Sequence, residues 1–531
     1  MIHTKRALGG VFVAPHHLAA QAGRDVLKEG GNAAEAMIAA AAAIAVVYPH
    51  MNSIGGDGFW LLSEPGKAPV GIDACGKAAA KATRAFYTEQ GFDAIPNRGP
   101  LAALTAAGTV GGWIKAQEVA KQWGGKLPLN RLLSDAVVYA RNGVAVSSSQ
   151  ERLTRVKFDE LSTAPGFAKH LLMDGQVPVE GSVLKQSTLG DTLARMGQVG
   201  LDDFYRGELA QAMAEDLTRV GSPIGLADLN NHHAQFVTPL QTELNNSTIY
   251  NMTPSTQGMA SLMILGMFDT LGVQQADGFD YLHGMVESTK QAFLVRDRYC
   301  TDPAYMTVNP SDFLTREALA ERAKKINIQR ALPWPQDPWQ GDTIWMGCID
   351  SEGRTASFIQ SVFWEFGSGV VCPSTGVMWQ NRGISFSLKE DALHRLEPGR
   401  KPFHTLNPAM ARFKDGRSMV YGTMGGEGQP QTQAAVFAGY AWRNKSITQA
   451  VSDPRWLLGR TWGDTSTNLK IEHNLALQIQ DELNQRGHDW VSVENNNEMM
   501  GHAGAILDTP TTLEAATDPR SDGRATVSST Q

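Results

Sequence analysis

The sequence predicts an α+β protein, because helical and extended stretches occupy different parts of the chain instead of alternating. Three observations carry this expectation. An alanine-rich segment near the start is apolar on every side, residues 128–325 read mainly as helices parted by polar turns, and a proline-rich connector then gives way to strand patterns. In chain order, residues 19–28 have helix-forming composition and Gly30-Gly31 stops them. Asn32 caps a second helix that runs to Val47 and is ended by Pro49. Its all-round apolar surface places it deep in the core. The cluster Ile54-Gly55-Gly56-Asp57-Gly58-Phe59 turns the chain into a strand at residues 59–62, and it is not the GxGxxG of a dinucleotide site. Residues 332–342 hold Pro333, Pro335 and Pro338, so they read as an extended connector. Strands then follow at 343–349 and 355–363, joined by the hairpin loop Asp350-Ser351-Glu352-Gly353, with further strands at 370–372 and 418–421. The last residues, 523–531, are expected to fray.

Composition narrows the function classes. The chain has 531 residues, 42% hydrophobic and 19% charged, which suits a large buried core and excludes disorder as the main state. A net charge of −7 argues against a nucleic-acid or anionic-membrane surface. Cys75, Cys300, Cys348 and Cys372 form no CxxC pair and read as buried free thiols of a reducing compartment. The start of the chain lacks a convincing secretion signal, and the apolar run at 36–48 is too short for a membrane span, so a cytoplasmic location is expected. The adjacent pairs His16-His17 and His232-His233 do not face one metal in regular structure. Trp334 and Trp339 are expected to pack the connector on the body, and Glu287 with Lys290 to form a solvated ion pair.

Thr343, opening a strand after the connector, is the most suggestive chemical feature. A threonine hydroxyl is a weak nucleophile without an adjacent base. A threonine that begins a chain carries its own base, an α-amine with pKa about 7.7–8.0. That use requires the bond after Asp342 to be cut, and the local pattern also reads as a plain strand start.

The order of motifs adds to this reading. Lys28-Glu29-Gly30-Gly31-Asn32-Ala33, Ser53-Ile54-Gly55-Gly56-Asp57-Gly58-Phe59, Lys81-Ala82-Thr83-Arg84, Asp203-Phe204-Tyr205-Arg206-Gly207, Pro254-Ser255-Thr256-Gln257-Gly258, Asp302-Pro303, Thr343, Gly425-Gly426 and Ala516-Thr517-Asp518-Pro519-Arg520-Ser521-Asp522-Gly523 resemble, in that order, the γ-glutamyltranspeptidase family. The resemblance implies a four-layer αββα sandwich of the N-terminal-nucleophile hydrolases. It implies a proenzyme that cuts itself between Asp342 and Thr343 into chains 1–342 and 343–531, which stay together as a heterodimer within one domain and leave further dimerisation open. It also implies Thr343 as nucleophile, Ser361 as its supporting hydroxyl, Gly425-Gly426 as oxyanion hole and Arg84 as the grip on a substrate carboxylate. No cofactor or metal is implied.

Departures from the family pattern bear on substrate. Ser385 stands where the family holds the γ-glutamyl ammonium with a carboxylate, Phe363 replaces an asparagine, Arg382 replaces a polar residue, and His404-Thr405 replace a serine pair. His404 could orient substrate or water, or make a structural hydrogen bond. The grip on a carboxylate is thus kept or strengthened while the grip on an ammonium is lost, so a small amide with a carboxylate and no amine is expected. Oxamate, cleaved to oxalate and ammonia in the salvage of purine-ring nitrogen, fits this expectation. The alternatives are γ-glutamyl hydrolysis or transfer, a glutaryl or cephalosporin acylase, and, in a different class, an uncut scaffold of the same fold.

Overall fold

The structure, a computed structural model, describes residues 4–528 apart from 274, 276–277, 335–341 and 460–465, and gives Asp342 by its backbone alone. Two seven-stranded antiparallel sheets form its centre. The first runs Lys5–Ala7, Leu513–Thr517, Gly504–Asp508, Ser418–Gly422, Ala409–Phe413, Ser247–Asn251, Leu240–Glu243. The second runs Arg524–Val527, Val11–Ala14, Asp342–Ile349, Thr355–Phe363, Asp57–Ser63, Val70–Ala74, Gln235–Val237.

Side-chain alternation along the strands builds the layers. Trp345 and Ile349 point with Phe59, Leu61 and Ile359 into the space between the sheets, where they meet Met410, Val420 and Ile506. Their neighbours Ile344, Met346 and Phe358 point outward onto the helix Ala33–Val47. Every residue of that helix is buried, and Asn32 and Glu35 close its start as a reciprocal capping box. On the far side, Ala409, Ala411, Met419 and Tyr421 pack beneath the helices Gly258–Thr270, Gly278–Tyr299 and Gly428–Ala441. The result is the four-layer αββα sandwich.

Several expectations are corrected. Residues 524–527 do not fray but pair with Val11–Ala14, and 529–531 lie outside the described residues. The strand expected at 370–372 is reduced to an isolated bridge between Val371 and Met378. Strands Gln235–Val237, Leu240–Glu243 and Ser247–Asn251 interrupt the stretch read mainly as helices. Glu287 and Lys290 are not solvated: their side chains are 2% and 3% exposed, and Lys290 also donates to the Leu332 carbonyl. Trp334 packs tilted against Phe293, while Trp339 and most of the connector fall outside the described residues. The four cysteines are free and buried. Among the described residues, no helix is long and apolar enough to cross a membrane.

Candidate active site

Thr343 is fully buried in the second sheet, one residue into its strand. Asp342 pairs with Phe363 but Ile344 pairs with Gln360, so the facing strand carries one extra residue and the ladder bulges at Thr343. On the other side of that facing strand, Ser361 lies in register with Asp57. The Phe363 amide donates to Ser361 Oγ at 2.8 Å. Phe363 then takes a left-handed conformation (φ 85°), an unusual one for a bulky residue. Its ring centroid lies 3.8 Å from the guanidinium carbon of Arg382, which sits over the ring face.

Gly425 and Gly426, with φ of 112° and 53°, join the strand Ser418–Gly422 to the helix Gly428–Ala441. Both angles suit glycine and leave the turn without side chains. In the helix's first turn, Gln429 donates Nε2–H to Thr343 Oγ1 at 3.3 Å, which ties the glycine turn to the threonine. Buried groups brace the turn from behind. Gln257 donates to the carbonyls of Gly426 (2.8 Å) and Thr405 (2.7 Å) and accepts from Arg296, while Arg296 also pairs with Glu427 at 2.6 Å. None of Gln257, Arg296, Glu427 and Gln429 was singled out by sequence reasoning. Gln257 lay inside a quoted motif, the one signal that could have found it.

Arg382 opens the short turn Arg382–Ser385 and is 1% exposed. Its Nη1 lies 3.4 Å from Thr405 Oγ1, but Nε and Nη2 have no hydrogen-bond partner among the described residues, and neither has Ser385 Oγ. Burial lowers the Arg382 pKa to about 9, against the opposing pull of Asp57. Asp57 Oδ1 accepts from the backbone of Gly76 (2.9 Å) and Gly108 (3.0 Å) and from Gln380 Nε2 (3.0 Å). Its Oδ2 takes the Nε2–H of His404 at 2.8 Å. Burial alone would raise the Asp57 carboxyl, yet the hydrogen bonds from His404, Gly76 and Gln380 hold it below its ordinary value. Burial and then Arg382 push His404 down to about 4 despite Asp57, so the ring is neutral, and its Nδ1 has no partner among the described residues.

The structure thus brings Thr343, Ser361, Phe363 and Gly425-Gly426 into one linked neighbourhood, and Arg382, Phe363, His404 and Thr405 into another that shares Phe363. Arg84 shares no hydrogen bond or ion pair with either group. It begins the helix Arg84–Thr88 with a side chain 35% exposed, and it faces Glu390 at 3.7 Å.

Among the described residues, two sets of potential metal-ligating atoms lie within 4.8 Å of one another: Asp57, Cys75 and His404, and His283, Glu287 and His488. In the first, Asp57 and His404 bond each other, and burial keeps Cys75 a protonated thiol. In the second, Lys290 supplies a cation to Glu287, and His283 bonds His488 and the Asn327 carbonyl.

Comparison with protein families matches residues 19–528 to the γ-glutamyltranspeptidase family. The chain is 50% identical to an oxamate amidohydrolase proenzyme of Klebsiella pneumoniae, over 97% of this chain and 98% of that one. It is 37% identical to a glutathione hydrolase-like proenzyme of Bacillus subtilis over the same shares. Among solved structures, a cephalosporin acylase from Bacillus halodurans superimposes with a TM-score of 0.92 at 29% identity, covering 100% of this chain and 98% of that one.

Proposed function

Because this chain belongs to the γ-glutamyltranspeptidase family of N-terminal-nucleophile amidohydrolases, we propose that it hydrolyses oxamate to oxalate and ammonia through an oxalyl ester on Thr343. The observation that carries the substrate reading is Arg382, a buried guanidinium whose Nε and Nη2 have no partner among the described residues. Two adjacent N–H groups in one plane match the two oxygens of a carboxylate. An amine-bearing γ-glutamyl substrate fits less well. Asp57, the carboxylate beside Arg382, is committed to four donors, and Ser385 offers no charge. Phe363 narrows the same space in favour of a two-carbon acid.

In this reading, cleavage between Asp342 and Thr343 yields chains 1–342 and 343–531 and frees the Thr343 α-amine. The amine takes the Oγ1 proton as Oγ1 attacks the amide carbon, with Ser361 steadying the nucleophile. The oxyanion is received by backbone N–H groups at Gly425-Gly426, where the start of a helix also favours negative charge. The C–N bond breaks as the amine passes its proton to the leaving nitrogen, which departs as ammonia. Water then attacks the ester, loses its proton to the same amine, and releases oxalate while Thr343 regains its hydroxyl. Arg382 and Thr405 hold the carboxylate throughout, His404 and Ser385 line the same space, and Arg84 stands further out as a second cation.

A denaturing gel and an ammonia assay test this. Purified protein should run as chains of 342 and 531 − 342 = 189 residues. It should release ammonia from oxamate in preference to γ-glutamyl amides or acetamide. Thr343→Ala should stay full length and inactive, since it removes the hydroxyl needed for both steps. Ammonia release from oxamate by an uncut chain would remove Thr343 from the mechanism.

A further inference from the structure

We infer that Asp57 and His404 make carboxylate binding proton-linked: when the substrate carboxylate docks on Arg382, His404 takes up one proton on Nδ1 and becomes a second cation facing it. This rests on the oxamate reading for the identity of the carboxylate. The argument is one of charge balance in a buried site. Arg382 and Asp57 are buried and opposite in sign, and Lys401 forms a further pair with Asp73 at 2.6 Å. With His404 neutral this set sums to zero. A bound carboxylate adds one negative charge, and an uncompensated buried charge is strongly disfavoured.

His404 is placed to supply the compensation. Its Nε2–H is committed to Asp57 Oδ2, and Asp57 cannot turn away because three donors hold Oδ1. The ring's remaining site is Nδ1, buried and without a partner among the described residues. In the neutral ring that nitrogen presents a lone pair, which repels a carboxylate oxygen, and protonation converts it to a donor. Asp57 is therefore a positioning residue: it decides which nitrogen receives the proton and stabilises the imidazolium that results. The groups facing the imidazole are Asp57 from the strand Asp57–Ser63, Arg382 from its turn, Cys75 after the strand Val70–Ala74, and Lys401 on the segment of His404 itself. Cys75 is held as a neutral thiol by burial, so it contributes no charge.

The test measures glycolate binding to the mature wild-type protein by calorimetry from about pH 5.5 to pH 7.5, a range in which its carboxylate stays ionised. Repeating the titration in buffers of different ionisation enthalpy counts protons directly. Proton uptake on binding means that affinity falls as pH rises, so the Kd should increase about tenfold per pH unit. The uptake should be close to one proton. His404→Asn, checked for self-cleavage on a gel, should bind more weakly at the low end and show no such slope. Its KM for oxamate should rise more than its kcat falls. Asp57→Asn should flatten the slope as well, a second route if the histidine variant does not fold. A pH-independent wild-type affinity, no glycolate binding, or an unchanged slope in His404→Asn overturns the inference. Flat glycolate binding in an enzyme that hydrolyses oxamate removes the proton linkage and leaves the substrate reading. Proton-linked binding in an enzyme that ignores oxamate does the reverse.

Discussion

Two buried arginines in this molecule are treated in opposite ways. Arg520 is saturated: it grips Glu472 through Nε (2.9 Å) and Nη2 (2.5 Å), Asp518 through Nη1 (3.0 Å), and the Asp453 carbonyl. Burial works against its charge, but Asp518 and Glu472 outweigh it and raise the pKa. Arg382 is as deeply buried, has one long contact to a threonine hydroxyl, and has its pKa pushed down to about 9. The fold places carboxylates directly on the arginine that joins its C-terminal strands to its helices, whereas Asp57, the carboxylate beside Arg382, is committed to four other donors. A buried cation with two donors that face no acceptor among the described residues is costly to keep, and such a cost points to a ligand.

Substitutions can break or sharpen that contrast. The largest effect should follow Glu472→Gln, which leaves Arg520 buried with half its fork uncompensated. Breaking a buried pair in this way costs about 3–5 kcal/mol. Thermal unfolding should show the loss, while the preference for oxamate over acetamide stays at the wild-type ratio. If the preference collapses instead, the two arginines are not separate in role. Next comes Arg382→Gln, for which the order of effects reverses. Losing a charge-assisted contact costs about 1.5–3 kcal/mol, or about ten- to more than a hundredfold in kcat/KM for oxamate. Acetamide, with no carboxylate, should be affected little, and stability should hold or improve because a poorly paired buried charge is gone. Oxamate kinetics at the wild-type level would remove Arg382 from the clamp. Arg84→Gln should have the smallest effect, because its partner Glu390 is 87% exposed. Exposed pairs contribute less than about 1 kcal/mol, so oxamate kcat/KM should stay within about fivefold of wild type. A loss equal to that of Arg382→Gln would make Arg84 a full partner in binding.

Local rules made parts of the fold legible. Asn32 after Gly30-Gly31 announced a capped helix, and Asp350-Ser351-Glu352-Gly353 announced the hairpin that carries Thr343 and Ser361. What failed was set by distant partners. The terminal strand Arg524–Val527 exists because Val11–Ala14 offers it an edge some five hundred residues away, which no window of local sequence can register. Glu287 and Lys290 had surface spacing but lie where the helix Gly278–Tyr299 is covered on both sides, so periodicity misjudged their burial. Of the site, the family motifs supplied the linear landmarks Thr343, Ser361 and Gly425-Gly426. The pairing of Asp57 with His404, 347 positions apart, and the bracing of Gly426 by Gln257 and Arg296 are products of tertiary folding, invisible one residue at a time.

The order of strands in the second sheet has a consequence for the lifetime of the mature enzyme. Val11–Ala14 lies between Arg524–Val527 and Asp342–Ile349, so with the proposed cut after Asp342 a strand from before the cut is hydrogen-bonded on both edges by strands from after it. In the first sheet, Ser247–Asn251 likewise pairs with Ala409–Phe413. The two products of self-cleavage are therefore woven through each other like threads of one cloth, and neither can leave without unravelling both sheets. Dilution should not dissociate them, and molecules carrying distinguishable halves should not trade halves while folded. Their association is governed by the barrier to unfolding and not by a binding equilibrium between two preformed subunits.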